Sequence, residues 1–429
     1  MVSDSHRAML ADRPPFVLTM GGYLGTLAAV RCLGHAGLPV VVVDETTFAP
    51  ALWSRYVVRR HRSPPVRPLT PFVDWLVELG SRTAGHVLYA TSDDLAWAFA
   101  ERSDELRRHY RLLSPSFETL RRLLDKRRLY DLCESAGISV PRTWFPQNES
   151  DLEAVAREAC QPLLIKPRTQ VLFTSQRKAR IVRAFDELKS AYADFLRYNR
   201  YDEHFLRSHP DVERPMLQEC GSTDEPIYSI SGFCDASAGH FAVRASLKLL
   251  QWPPRAGVGL LFEDAPIHAE LAAKLRRMCE SVGFVGVFEA EFIGTPSGLR
   301  LIDFNPRFFG QMGFDVARGL PSPLLVYLAA VGDTDKLRAE VSAGSAWRAE
   351  GPTRFVNRTT LALTRAAERL VGRKPMGVAH VGGGNRAGAT VDAVGDPHDW
   401  LPTLLDRVQQ IGGALRHPRA MLTAARRRD

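Results

Sequence analysis

Two short stretches of the chain hold the side chains with the most chemical promise. "FEAEF" places Glu289 and Glu291 at alternate positions, and "LIDFNPRF" does the same with Asp303, Asn305 and Arg307. Alternate residues of an extended chain share one side, and the turn residues of "TPSG" join the two stretches as a hairpin. Two carboxylates and an amide oxygen then surround one point. All-oxygen ligation of that kind suits Mg2+ or Mn2+, which are held by a few carboxylates together with substrate phosphates. Residue types alone leave a second reading level with this one: a salt-bridged sheet face with Arg307 as counterion.

Two lysines favour the metal. Lys166 ends the apolar run "PLLIK", and Lys126 lies in a helical stretch ahead of it. Ammonium groups beside a divalent ion are what a triphosphate requires, because phosphoryl transfer is catalysed mainly by positioning and charge neutralisation. No GxxxxGKS/T loop occurs, which excludes a P-loop fold. Nor does any Ser/His/Asp or Cys/His set suggest an enzyme nucleophile.

The elements that must position these groups can be read around them. "PPFVLTMGGYLGTLAAVRCLGHAGLPVVVVDE" is a β-α-β opening with a GGxxG turn at Gly21, Gly22 and Gly25. A dinucleotide fingerprint needs a further glycine where Met20 stands, so the glycines are read as permitting a tight turn and close helix packing. "HVLYATSDDLAWAFAE" predicts a strand, then a capped helix. Up to about residue 115 the chain reads as a small parallel sheet with helices. "SFETLRRLLDKRRLYDLCESAG" has helical leucine spacing and stops near Gly137. "KARIVRAF" is a candidate hairpin partner for "PLLIKP", residues 186–215 are polar and helical, and antiparallel strands follow from "PMLQEC" onward.

Bulk properties set limits. A chain of 429 residues, with 45% hydrophobic and 24% charged residues, is a globular protein of two or three domains. No stretch approaches a membrane span, and the N-terminal residues lack the apolar core of a signal peptide. The cysteines Cys32, Cys133, Cys160, Cys220, Cys234 and Cys279 have no metal-ligand spacing and read as reduced thiols of a cytoplasmic protein. The net charge of +8 is dispersed, apart from the basic C-terminal tail, so nucleic acid is not an expected partner.

In order along the chain, "DKRRLYDLCESAGISVPRTW", "LLIKP", "MLQECG", "LKLLQWPPRAGVG", "FEAEF" and "LIDFNPRFFG" resemble the successive motifs of the ATP-grasp superfamily. The likeness is strongest to its carboxylate–amine ligases and to enzymes like the carbamoyl-phosphate synthase large subunit, and it spans roughly residues 85–320. It implies an α/β and α+β multi-domain chain. A Rossmann-like pre-ATP-grasp domain (1–115) would precede the small lobe (116–217) and the large lobe with the metal site (218–345). Residues 346–429 would be a C-terminal extension that caps the site, makes a homodimer contact or completes the core.

By the same resemblance, Lys126 and Lys166 are nucleotide-phosphate lysines. Gln218, Glu219 and Cys220 lie in the inter-lobe linker that holds adenine and ribose. Lys248, with Arg244, is a phosphate contact; Glu291, Asp303 and Asn305 bind Mg2+ or Mn2+, as two ions; Arg307 steadies an acyl phosphate. "PPRAGVG" covers the reacting carboxylate, and "ATSDD" and Arg307 with "FFGQ" border the pocket. Asp303 stands where relatives usually carry glutamate. The loop after Lys166 lacks phosphate-covering glycines, with Lys178 and Arg180 as candidate substitutes, and Leu250 replaces a further base.

The implied activity is ATP-dependent ligation of a carboxylate, an amino acid or small peptide, to an amine through an acyl phosphate. Phosphorylation of bicarbonate or another small acid is the alternative, as is a nucleotide-binding regulatory protein without turnover.

Overall fold

The first hydrophobic runs of the chain make a wholly parallel sheet. Its strands are β1 (Phe16–Thr19), β2 (Val40–Asp44), β3 (Val57–Arg62), β4 (His86–Leu88) and β5 (Tyr110–Leu112), in the order β3-β2-β1-β4-β5. The computed structural model describes residues 13–160, 162–175, 179–220, 226–252, 258–345, 353–374 and 389–426. Helices α1 (Leu24–His35), α2 (Leu69–Arg82) and α3 (Asp93–Glu101) connect the strands. Because β1 has β2 on one side and β4 on the other, the chain reverses direction across the sheet between β1 and β4. The crevice beyond the C-terminal ends of such a strand pair is where open parallel sheets place ligands. Here the crevice is bounded by the turn after β1 and by the cap of α3, where Ser92 Oγ accepts from Leu95 N at 3.2 Å.

Met20, at the place of the missing fingerprint glycine, has φ 56°, a left-handed conformation that side chains with a Cβ seldom adopt. Gly25 is fixed by contact instead: a Cβ there would lie 2.7 Å from the carbonyl oxygen of Phe309. The turn is therefore shaped to abut the segment that follows Arg307.

The expected single helix after residue 116 is two. Helix α4 (Phe117–Leu124) stops at Asp125, which is extended and accepts from Arg127 N at 2.9 Å as the cap of α5 (Lys126–Ser135). A four-stranded antiparallel sheet follows, in the order β6-β9-β7-β8. It comprises β6 (Thr143–Trp144), β7 (Leu163–Lys166), β8 (Arg180–Val182) and β9 (Met216–Glu219), and α6 (Glu149–Glu158) and α7 (Leu188–Tyr198) pack on it.

The third sheet has seven strands in the order β14-β13-β10-β11-β12-β15-β16, antiparallel except for its last pair. These are β10 (Ile227–Asp235), β11 (His240–Trp252), β12 (Val258–Ala265), β13 (Val285–Thr295), β14 (Gly298–Asn305), β15 (Arg354–Val356) and β16 (Thr390–Asp392). One face buries Ile230, Phe288, Phe292 and Phe304 against α5 and α8 (Ala269–Ser281). The other face is polar at its centre. Helices α9 (Met312–Ala317), α10 (Ser322–Val331) and α11 (Thr334–Ser345) lie nearby, and α12 (Arg358–Leu370), α13 (Trp400–Arg416) and α14 (Pro418–Arg426) complete the C-terminal part. Among the described residues, no helix is long and apolar enough to cross a membrane. All six cysteines are free thiols.

Candidate active site

The β13–β14 hairpin puts Glu291 directly opposite Asp303 and Glu289 opposite Asn305. The four side chains are thus two adjacent cross-strand pairs on one face. A register shift just after Glu291 leaves this polar end of the hairpin in phase. Lys248, on the neighbouring part of β11, reaches diagonally across and pairs with Glu291.

Both expected lysines arrive from outside this sheet. Lys126 is the first residue of α5, and its ammonium pairs with Asp303 and donates to the Ile302 carbonyl at 3.0 Å. Its backbone is held by the strand that bears the other lysine, since Lys126 N donates to Arg168 O at 3.0 Å. Arg168 is buried and donates through two nitrogens to the two oxygens of Asp125, at 2.7 Å each. This two-point bond locks the start of α5 to the end of β7, so Lys126 and Lys166 come side by side.

The charges record that proximity. Burial, with the neighbouring Lys126 ammonium, lowers Lys166 to about 7, so the group is near half-protonation at neutral pH. Among the described residues nothing hydrogen-bonds its ammonium. Burial would push the Asp303 carboxyl up, but Lys126, Lys166 and Arg307 together hold it below its ordinary value. That outcome is reasonable in magnitude: a unit charge at about 4 Å is worth roughly 4 kcal/mol at an effective dielectric of about 20. For Lys126 and Lys248, burial favours the neutral amine, yet the acids beside them win and both stay raised. Glu289 goes the other way; burial and then Glu291 lift it to about 7.

Arg307 ties the hairpin to the parallel sheet. It donates to Asp93 Oδ1 at 2.8 Å, the Tyr23 hydroxyl at 3.2 Å and Asn305 Oδ1 at 3.0 Å. Asp93 is the first residue of α3 and Tyr23 comes from the glycine turn, so the crevice of the first sheet opens onto the hairpin.

The oxygen donors fit a hard divalent cation. Asp303 Oδ1 and one Glu291 oxygen already face ammonium groups, which stand where a cation would, while their second oxygens are not used by these bonds. Asn305 offers Oδ1, now accepting from Arg307, and its Nδ2 donates to Glu289 at 3.1 Å. Among the described residues no three of His, Cys, Asp and Glu converge as a metal cluster; the set here is two carboxylates and an amide.

Other expected residues are placed differently. Arg244 has the same strand parity as Lys248 but sits four residues along β11, beneath the helices after β14. Its guanidinium donates to the Arg318 carbonyl at 3.2 Å and the Gly344 carbonyl at 2.7 Å. It is a buried bracket and is corrected as a phosphate contact. Gln218 is also internal, donating to the Tyr130 hydroxyl at 2.9 Å and Thr143 Oγ1 at 2.8 Å. Glu219 and Cys220 end β9 with their amides on the carbonyls of Arg142 and Pro162, and the Cys220 side chain is near enough to act on Lys166. Arg180 pairs with Asp194 at 3.0 Å. Lys178 and Pro253–Gly257 of the "PPRAGVG" segment lie outside the described residues.

Sequence reasoning had set Glu289 beside Glu291 on one face and Gln311 at the border of the pocket, where it donates to Glu289; it passed over Tyr23 and the Asp125–Arg168 lock, neither of which carried a signal.

No protein-family model matches the sequence, and no curated relative matches it. Solved structures do. The biotin carboxylase domain of the Hydrogenobacter thermophilus 2-oxoglutarate carboxylase, determined with MgADP and bicarbonate, aligns with a TM-score of 0.60 at 16% identity, covering 74% of this chain and 69% of that one. N5-carboxyaminoimidazole ribonucleotide synthetase from Thermus thermophilus gives 0.54 at 18% identity, covering 74% and 78%. The Staphylococcus aureus N5-carboxyaminoimidazole synthetase gives 0.54 at 14%, covering 79% and 91%. With these neighbours the chain shares its fold, the ATP-grasp fold.

Proposed function

We propose that the protein is an ATP-dependent ligase that joins a carboxylate, an amino acid or small peptide, to an amine through an acyl phosphate. In this reading residues 1–115 are a Rossmann-like pre-ATP-grasp domain, 116–217 and 218–345 are the two lobes that close on the nucleotide, and 346–429 are an extension on that core. One observation carries the proposal: Lys126, Lys166 and Lys248 converge from three separate elements on the cross-strand pair Glu291–Asp303. Three ammonium groups brought together by unrelated elements, one of them with its proton half lost, make a site that a polyphosphate completes.

Glu291, Asp303 and Asn305 would hold Mg2+, which when bound supplies positive charge to the phosphate oxygens. Lys166 takes up its missing proton as the phosphates arrive and places an ammonium beside them, with Lys126 next to it. Lys248 stands on the far side of the same carboxylates. The substrate carboxylate attacks the γ-phosphorus; a carboxyl O–P bond forms, the bond to the β-phosphate oxygen breaks, and ADP leaves. Arg307, fixed by Asp93, Tyr23 and Asn305, offers its remaining N–H to the acyl phosphate. The amine then attacks the acyl carbon and loses a proton, phosphate departs with the C–O bonding pair, and an amide remains. The activation step is needed because a carboxylate is too poor an electrophile for amines at neutral pH. In this scheme Glu219 and the Cys220 backbone border the adenosine.

A second reading uses bicarbonate as the acid; it is favoured by the bicarbonate named with one structural neighbour. One assay separates the two. The protein is incubated with Mg-ATP and pairs of amino acids, or with bicarbonate, and ADP and product mass are read. ADP release that needs both an acid and an amine, with an amide mass, supports the ligase. Release with bicarbonate alone supports the second reading, and no release with any acid sinks both. Lys166→Ala and Asn305→Ala should lower whichever turnover is found by roughly 10²–10³-fold while leaving the fold intact.

A further inference from the structure

At the opposite end of the parallel sheet from the crevice lies a cavity of about 470 Å³, a volume typical of small-molecule sites. Arg13 precedes β1, Leu38 precedes β2, and Arg111 belongs to the edge strand β5, so this wall is built where the strands begin. The other wall is α10 and the first turns of α11, which bring Leu324, Tyr327, Leu328 and Glu340. None of these residues takes part in the candidate active site.

Tyr327 shows what the cavity is fitted to hold. Its ring lies on Phe16 with the centroids 6.5 Å apart, and the residue is only 4% exposed. A buried phenol ordinarily finds a hydrogen-bond partner, yet among the described residues the Tyr327 hydroxyl has none. Burial raises the phenol, and Arg13 and then Arg111 pull it back, so both guanidinium groups stand near the ring. Neither arginine has an ion-pair partner among the described residues. The acid closest to hand is already engaged: Asp333 Oδ1 accepts from Lys336 N at 3.2 Å at the start of α11. Two unpaired guanidinium groups and a free hydroxyl lining one cavity are matched by a carboxylate, whose oxygens accept from all three. Leu38, Leu324 and Leu328 then require the rest of the ligand to be apolar.

We propose that this cavity is a second small-molecule site, for a carboxylate with an apolar body. Arg13, Arg111 and the Tyr327 hydroxyl hold the charged end, and the three leucines take the remainder. The proposal is independent of the ligase reading. It is tested by calorimetric titration of the full chain, without nucleotide, using 4-phenylbutanoate, its neutral amide and 2-amino-4-phenylbutanoate. The plain acid should bind with a dissociation constant of about 1 mM or tighter and raise the melting temperature. The amide, which offers no charge to the arginines, should bind roughly tenfold more weakly or worse. Arg111→Ala, at an exposed position of an edge strand, should weaken the acid by about tenfold or more. Val331→Trp, which fills the apolar end and leaves both arginines in place, should do the same with unchanged circular dichroism. Tighter binding of the amino acid than of the plain acid supports the site and gives Glu340 the ammonium; weaker binding supports it for acids without an amine. If neither acid binds, the proposal falls. It falls equally if the amide binds as well as the acid, or if binding survives both variants, which would put the ligand elsewhere on the chain.

Discussion

One face of the seven-stranded sheet holds two charge clusters that differ in what covers them. At one end Arg318, fully buried, donates to Asp264 at 2.5 Å, Asp315 at 2.6 Å and the Ala245 carbonyl at 2.7 Å, while Ser231 donates to the other Asp315 oxygen at 2.6 Å. Arg244 closes the cluster against the Arg318 and Gly344 carbonyls. Four residues further along β11 is Lys248, which with Glu291 of β13, Asp303 of β14 and Lys126 of α5 makes the second cluster, faced by a lysine with no hydrogen-bond partner among the described residues. The first cluster is sealed under α9–α11 and internally satisfied. The second is met by side chains from α5 and β7. Similar residue types on one sheet face therefore do two jobs: the sealed cluster holds the helices to the sheet, and the other retains cationic capacity for something that arrives.

The two acids titrate accordingly. Burial outweighs Arg318 at Asp315, whose carboxyl is raised, whereas at Asp303 the three surrounding cations outweigh burial. A surplus of cations around an acid is what a cluster built to receive an anion should have.

The largest effect should come from breaking the sealed cluster. Arg318→Ala leaves Asp315 buried without its counterion, and losing one partner of a buried pair costs about 3–5 kcal/mol. Urea unfolding should show that loss. If Arg318→Ala costs less than about 1 kcal/mol, below the range for a broken buried pair, the two clusters do not differ in the way described.

The open cluster should respond in the opposite sense. Lys166→Ala and Asp303→Asn should lower turnover by roughly 10²–10³-fold, as the loss of one electrostatic contact to a developing charge does. For Lys166→Ala the midpoint should hold or rise, because a buried ammonium without a partner is removed. A large loss of stability in Lys166→Ala would place Lys166 with Arg318.

How much of this was readable in advance depends on the range of the interaction. The hairpin bearing Glu289, Glu291, Asp303 and Asn305 was legible because its period of two and its turn are local. The break between α4 and α5 was not. Asp125 looked like one more polar residue of a leucine-spaced helix, and what makes it a cap is Arg168, 43 residues later. Arg244 was misplaced for a related reason: strand parity tells which face a residue shares, not which part of that face the later helices cover. The helix start at Ser92, Asp93 or Asp94 was legible, and Ser92 proves to be the cap, but the bond from Arg307 to Asp93 spans 214 positions. Long-range pairing of this kind leaves no mark on periodicity or spacing.

A smaller effect tests the hinge side of the open cluster. Gln218 bridges the Tyr130 hydroxyl of α5 and Thr143 of β6. Gln218→Leu keeps the volume but leaves two hydroxyls without this partner, a cost of about 1–3 kcal/mol, read by the same urea titration. Since the amide is internal, nucleotide affinity should change far less than in Lys166→Ala. An equal loss of affinity would mean that the Gln218 side chain reaches the ligand.

The last test concerns protons. Lys166 is held at about 7 in the folded protein by burial and by Lys126, against an ordinary 10.5, and in the unfolded chain it regains its ordinary affinity. Between those two values the unfolded state binds more protons, so this group makes stability rise with pH across the window, and its penalty is full below about pH 7. Lys166→Met has no such group. It should be more stable than wild type at pH 7, with the gap narrowing towards pH 10, and reading the difference between the two proteins cancels the other titrations. Phosphate bound beside Lys166 restores its proton. Calorimetry of Mg-ADP binding at pH 7, in buffers of differing ionisation enthalpy, should therefore report uptake of a fraction of a proton that vanishes in Lys166→Met. Uptake that persists in the variant would move the titrating group elsewhere and take with it the claim that Lys166 is the partner awaiting the phosphates.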